Sequence, residues 1–162
     1  MGENGAMTRQ VQTMDALDLI EVHSAVLVRN FELLSRRTDI YDELDRAGYL
    51  LLRTLEAIGP ADINTLAGKL GLDPSTVGRQ VAAMTAEGLV DRTPAPADKR
   101  RGVVSATDEG RRRAEHVHRR RRENLTQMFD GVPEDELRVI GESFARYNQA
   151  IAKHHHVSPL SS

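Results

Sequence analysis

Cysteine is absent from this chain of 162 residues. Its absence excludes a disulfide framework, a Cys-based zinc site and thiol oxidation as a sensing chemistry. Tryptophan is missing too, and three Tyr and three Phe make up the whole aromatic content. Readers of single strands stack bases on aromatic rings, so an RNA or single-strand reader is poorly provided for. Residues 1–13 are polar without an apolar run, so neither a secretory signal nor a membrane anchor is expected and a cytoplasmic location follows. No nucleophile–base pair, phosphate loop or metal cluster stands out. The expectation is no enzyme activity, no cofactor and no metal.

Strong overall charge is lacking as well, at −2, but the charge is unevenly placed. From Arg92 to Arg122 eleven Arg or Lys face four acids, a local net of +7, whereas residues 1–50 carry five basic and nine acidic side chains, a net of −4. A phosphate backbone meets the local sign and not the total.

What is present centres on Leu66 to Thr107. In its first half, Leu66, Leu70, Leu72, Val77 and Val81 can line the inside of two crossed helices, with small Ala67 at the close approach and Gly71 supplying the positive φ of the turn. Asp73-Pro74 opens the second helix, Asp as a cap for free amides and Pro at the first helical position. Ser75, Thr76 and Arg79 then share one exposed face. Hydroxyls there reach phosphates or base edges, and an Arg forks onto guanine in the major groove. Ala86-Glu87-Gly88 ends the helix. Leu89 to Arg92 and Val103 to Thr107 read as two short strands joined through Pro94 to Gly102, with two prolines stopping the sheet. The tip of that hairpin carries Lys99, Arg100 and Arg101, a shape suited to a narrow minor groove.

The flanks read as a frame. From Met14 to about Arg37, Leu17, Ile20, Leu27, Phe31 and Leu34 form one helical seam with Ser24 in its gap, widened by Val22, Val26 and Val28. A break over Thr38 to Asp42 precedes a helix from Leu44 to Ile58, apolar at Leu50, Leu51, Leu52, Leu55 and Ile58 and stopped by Gly59-Pro60. Ala61 to Asn64 reads as extended. After the hairpin, Thr107-Asp108-Glu109 caps a helix running to about Phe129, with Ala114, Val117, Leu125 and Met128 as its buried line. Pro133 opens a last helix whose line is Leu137, Ile140, Phe144, Tyr147 and Ile151. Two apolar seams at opposite ends of the chain suggest that first and last helices pack together and with their copies in a second subunit.

The ordered set of Leu66 to Leu72, Ser75-Thr76-Val77-Gly78-Arg79, Glu87-Gly88-Leu89-Val90, and Asp98-Lys99-Arg100 with Thr107 and Gly110 after it resembles the MarR family of winged helix-turn-helix transcription factors. The likeness covers roughly Met14 to Lys153. It implies that Ser75, Thr76 and Arg79 face the major groove and that Arg100 enters the minor groove with Asp98 orienting it; Lys99 and Arg101 beside it are expected to touch phosphates. It also implies a homodimer, and an effector pocket between the dimer helices and the DNA-reading lobe. Gly78, where family members often have Ser, and Lys99, where Arg is common, are departures.

The fold class expected is mainly α with a small β wing. Residues 1–13 are expected to be disordered, 14–153 to form a single MarR-like domain, and 154–162 to be flexible. Within the domain, 14–45 and 112–153 are assigned to dimerisation helices and 46–111 to the DNA-binding lobe. Leu17, Ile20, Phe31, Leu137, Ile140, Phe144, Tyr147 and Ile151 are the interface candidates. In Arg119 to Arg122 four successive cations point in all directions, so at least one must lie near the inner face, and Glu115 and Glu123 can each pair with Arg119. A solvated, ion-paired face outweighs an anion site there, while Arg111 to Arg113 offer phosphate contacts. His154-His155-His156 cannot converge on one ion from a regular helix, nor can His116 and His118. Tyr41 and Tyr49 fit a pocket wall or the core equally. The function expected is a sequence-specific regulator of double-stranded DNA, a repressor relieved by a small molecule and binding no membrane. The alternative is a non-specific chromosome-binding or protein-interaction module.

Overall fold

The computed structural model describes residues 14–94, 102–155 and 157, and the side chains of all of these except 35–37. The expected wing-tip residues Asp98, Lys99, Arg100 and Arg101 lie outside the described residues, as do 1–13 and nearly all of the end beyond His155. The chain divides into two compact units, one ending at Asp39 and the other starting at Ile40.

The first unit holds helix α1 (Ala16–Arg37), whose N-cap Asp15 accepts from the Leu17 amide at 3.3 Å. Leu17, Ile20, Val22, Val26, Val28, Phe31 and Leu33 all stay exposed on it.

The second unit begins its regular structure with α2 (Arg46–Ile58), where Asp45 caps the Gly48 amide at 2.7 Å and Gly59, at φ 78°, ends the helix. Leu51, Leu52 and Leu55 go inside, and the buried Thr54 hydroxyl donates to the Leu50 carbonyl at 2.8 Å, so its burial leaves no unmet polar group. Ile58, on the last turn, stays exposed. Strand β1 (Ala61–Asp62) leads into α3 (Ile63–Leu70). Ile63 and Asn64 are therefore helical and not extended as expected, because the Asp62 carboxylate caps the Thr65 amide at 2.8 Å and starts the helix earlier.

Gly71 ends α3 in the left-handed region at φ 66°, and α4 (Pro74–Ala86) follows. Two expectations fail here. Leu72 is 43% exposed, because the left-handed residue before it turns the chain outward and carries Leu72 away from the helix pair. The Asp73 side chain makes no capping bond; its backbone carbonyl instead accepts from Thr76 and Val77 at 3.0 and 3.1 Å. Val77, Val81 and Met84 anchor the helix in the core.

Strands β2 (Val90–Pro94) and β3 (Gly102–Ala106) complete an antiparallel sheet of order β1-β3-β2. The ladder runs farther than the sequence suggests, since Pro94 pairs opposite Gly102. An edge strand tolerates Pro because a missing N–H on the open side breaks no ladder bond. Helix α5 (Asp108–Met128) buries Gly110, Ala114 and Val117, and α6 (Glu134–His154) follows. Leu125 and Met128, expected in the buried line of α5, are exposed, because the core covers only its first turns. One continuous core links α2, α3, α4, the sheet and the start of α5.

Candidate nucleic-acid interface

The outer face of α4 follows from its inner one. With Val77 and Val81 fully buried, helical spacing turns Ser75 and Arg79 to solvent and leaves Thr76 half-buried at the rim. The Arg79 guanidinium reaches the Thr76 hydroxyl at 3.5 Å, so the two polar groups stand side by side near the positive end of the helix. A β-carbon added at Gly78 would meet only Ile63 Cδ1, at 3.9 Å, so packing does not demand glycine there.

A tight junction fixes this helix to the hairpin and to α5. The Thr107 hydroxyl donates to the Gly88 carbonyl at 2.7 Å and accepts from the Gly110 amide at 3.0 Å, while the Thr107 amide donates to the Leu89 carbonyl at 3.1 Å. Gly110 lies so close that a β-carbon there would stand 2.1 Å from the Leu89 carbonyl oxygen. Thr107 is legible in the sequence as a cap, whereas its bond across to Gly88 is not. The Thr-x-x-Gly spacing is the only local trace of it. Farther out on the wing, Arg92 crosses over bare Gly102, whose added β-carbon would sit 2.5 Å from Arg92 Nε.

The cations of α5 are largely engaged within the protein. Arg111 donates to the Ala106 carbonyl and to Asp108, both at 2.6 Å. Arg112 bonds Glu109 at 2.7 Å and Glu43 at 3.2 Å, and Arg113 bonds Glu109 at 2.8 Å. Hydrogen bonds from Arg112 and then Arg113 hold the Glu109 carboxyl down to about 2, and the Arg112 guanidinium is correspondingly raised. The three arginines expected to add phosphate contacts are thus committed to these partners.

In the run Arg119 to Arg122, Arg119 stands 3.2 Å from His116 Nδ1, and Glu123 pairs with Arg120 at 3.2 Å. Of the two acids within reach of Arg119 along the helix, Glu123 instead takes Arg120, the arginine three residues before it. Arg121 is the member that faces inward: it donates to the Tyr41 hydroxyl and lies 5.6 Å over the Tyr49 ring. Tyr49 belongs to the core and Tyr41 packs against it. Burial pushes the Tyr49 phenol up, opposed by the charge of Arg121. A separate cleft of about 440 Å³ opens between α2, β3 and α5, with Leu55, Pro60, Ala106 and Glu115 among its walls. Among the described residues no three His, Asp or Glu side chains group to hold a metal, and no helix is long and apolar enough to cross a membrane.

Comparison with known proteins gives consistent matches. The model of the MarR family matches residues 44–101. The chain is 32% identical over 140 residues to the HTH-type transcriptional regulator YxaD of Bacillus subtilis (strain 168), an alignment spanning 86% of this chain and 98% of YxaD. A solved MarR family protein from Bacillus stearothermophilus has the same fold, with a TM-score of 0.68 at 20% identity over 86% of this chain and 99% of its own. The PcaV transcriptional regulator from Streptomyces coelicolor, solved in complex with its natural ligand, gives a TM-score of 0.66 at 26% identity over 86% and 99%.

Proposed function

The chain belongs to the MarR family of DNA-binding transcriptional regulators, which are not enzymes, and from that premise we propose that it represses transcription as a homodimer on a pseudo-palindromic operator. The observation that carries the reading is the outer face of α4, where Ser75, Thr76 and Arg79 are presented by a helix tied through Thr107 to the hairpin and α5. A reading head fixed this way holds its side chains in one register on the groove. Residues 46–111 form the DNA-binding lobe, with Lys99, Arg100 and Arg101 at the wing tip and Asp98 orienting Arg100.

The dimer is supported by the apolar residues exposed on the two flanking helices: Leu17, Ile20 and Phe31 on α1, and Ile140, Phe144, Tyr147 and Ile151 on α6, with Leu137 half-buried beside them. Large apolar side chains lined up in water mark an interaction surface. Two-fold pairing sets two recognition helices about 34–36 Å apart, one turn of DNA. A small molecule relieves repression by favouring a dimer with the wrong separation. The half-buried Arg121 with Tyr41 and Tyr49 offers such an effector a cation beside two rings, and PcaV, of the same fold, has been solved with its natural ligand.

Fluorescence anisotropy against duplexes selected from a random pool, and against scrambled versions, tests the reading across a salt series. Arg79→Ala and Arg100→Ala should each weaken selective binding by about 1–3 kcal/mol. Equal affinity for selected and scrambled duplexes at every salt concentration would replace the operator-specific reading with non-specific chromosome binding.

A further inference from the structure

The segment just after α6 makes a contact that DNA reading does not account for. Ala152 is the one buried residue of α6, and the helix ends immediately beyond it. The His155 amide bonds to the Ile151 carbonyl at 3.0 Å, and the Val157 amide reaches back to the Ala152 carbonyl at 3.0 Å. That second bond spans five residues, the six-to-one closure of a Schellman-type helix end, which reverses the chain and directs the next apolar residue onto its surroundings.

Val157 lands on Gly71, the left-handed residue at the turn between α3 and α4. A β-carbon placed on Gly71 would lie 3.1 Å from Val157 Cγ1, 3.8 Å from its Cβ and 3.9 Å from Cγ2, so the whole isopropyl group is seated over the bare glycine. Gly71 therefore meets two demands at once: a positive φ of 66° for the turn, and an empty surface for Val157. The turn it forms is the hinge on which α4 is held relative to α3.

We propose that Val157 is a positioning residue, a latch that fastens the end of α6 to the helix-turn-helix so that the recognition helix moves with the dimer-forming helix. The proposal rests on the reading of α6 as a dimer helix. Closed by its own helix-end hydrogen bonds, the latch transmits displacement of α6 to the turn at Gly71 and from there to Ser75, Thr76 and Arg79, without passing through α5.

The absence of cysteine allows a clean test, because a single Ala82→Cys substitution on the exposed side of α4 can carry a spin label. In the dimer, dipolar spectroscopy reads the distance between the two labels, hydrogen exchange reads the turn, and sedimentation reads assembly. Val157→Asp should broaden the distance distribution and speed amide exchange across residues 68–73 by about tenfold. Exchange over α2 and the sedimentation of the dimer should be unchanged, and Val157→Ile should restore the parent behaviour. Parent-like turn exchange and an unaltered distance distribution in Val157→Asp would overturn the latch. A parent protein that sediments as a monomer and gives no distance between labels removes the dimer reading, and the proposed coupling with it, a failure separable from the first by sedimentation alone.

Discussion

Residues 46–117 and residues 118–151 are built on opposite terms. The first stretch supplies its own core: Leu51, Leu66, Val77, Val81, Leu89, Val90, Val104 and Val117 are almost wholly buried. In the second, no described residue is buried, although Leu125, Met128, Ile140, Phe144 and Ile151 repeat at helical spacing. The difference separates a part that is complete within one chain from a part that carries an apolar face without covering it. That division suits the dimer proposed above, in which each reading head stays rigid while the separation of the two changes.

The self-contained stretch is most vulnerable at Gly110. A side chain there would be driven into the Leu89 carbonyl and the Leu52 methyl, and a rigid backbone contact cannot yield as a flexible side chain can. Gly110→Val should destabilise the lobe by about 3 kcal/mol or more, read from urea denaturation followed by circular dichroism. An unchanged midpoint would mean that Gly110 is not held against the Leu89 carbonyl.

The converse substitution belongs on the uncovered face. Phe144→Asp should weaken dimerisation by about 2–3 kcal/mol, the scale of an interface anchor, while the lobe melts as before. Sedimentation equilibrium and thermal denaturation on the same samples separate the two effects. Loss of both together would show that the lobe depends on the long helices for its own folding.

Thr107 tests a smaller contribution within the first stretch. Thr107→Val keeps the shape and deletes both the bond to Gly88 and the cap on Gly110, so a loss of about 1–2 kcal/mol is expected. Thr107→Ser should recover most of it. If valine and serine behave alike, the hydroxyl is not what joins α4 to α5.

These residues also mark what the sequence displays. The reading pair, the hairpin and all the helices were legible because each is announced locally, by periodicity, by Gly71 and Gly88, or by Pro74 and Pro133. The bond from Thr107 to Gly88 was not, because it joins residues 19 apart and either half alone looks like an ordinary helix end. Periodicity likewise showed which face of α5 is apolar at Leu125 and Met128 but not whether the chain covers it. In the candidate site, Ser75, Thr76 and Arg79 could be assigned to one face from spacing alone. That Arg121 would be the inward member of its run depended on Tyr41 and Tyr49 arriving from 70 or more residues away, which the sum of local preferences does not contain.

The smallest expected effect concerns the charges at the root of α5, where the lobe passes into the long helices. Glu109 bonds Arg112 and Arg113 together, and its carboxyl falls from an ordinary 4.5 to about 2. A carboxyl that holds its proton less firmly in the folded chain than in the unfolded one stabilises the fold at pH values above 4.5, and loses that contribution as pH falls toward 2. Glu109→Gln should therefore lower stability slightly at neutral pH and flatten its decline across that acid window. The effect stays small because Glu109 and Arg112 are 40% and 55% exposed, where solvent screens the pair. Parallel acid denaturation of the two proteins reads the slope directly. If it is the same in both, Glu109 does not restrain Arg112 and Arg113, and Glu43 is left as the acid that holds Arg112.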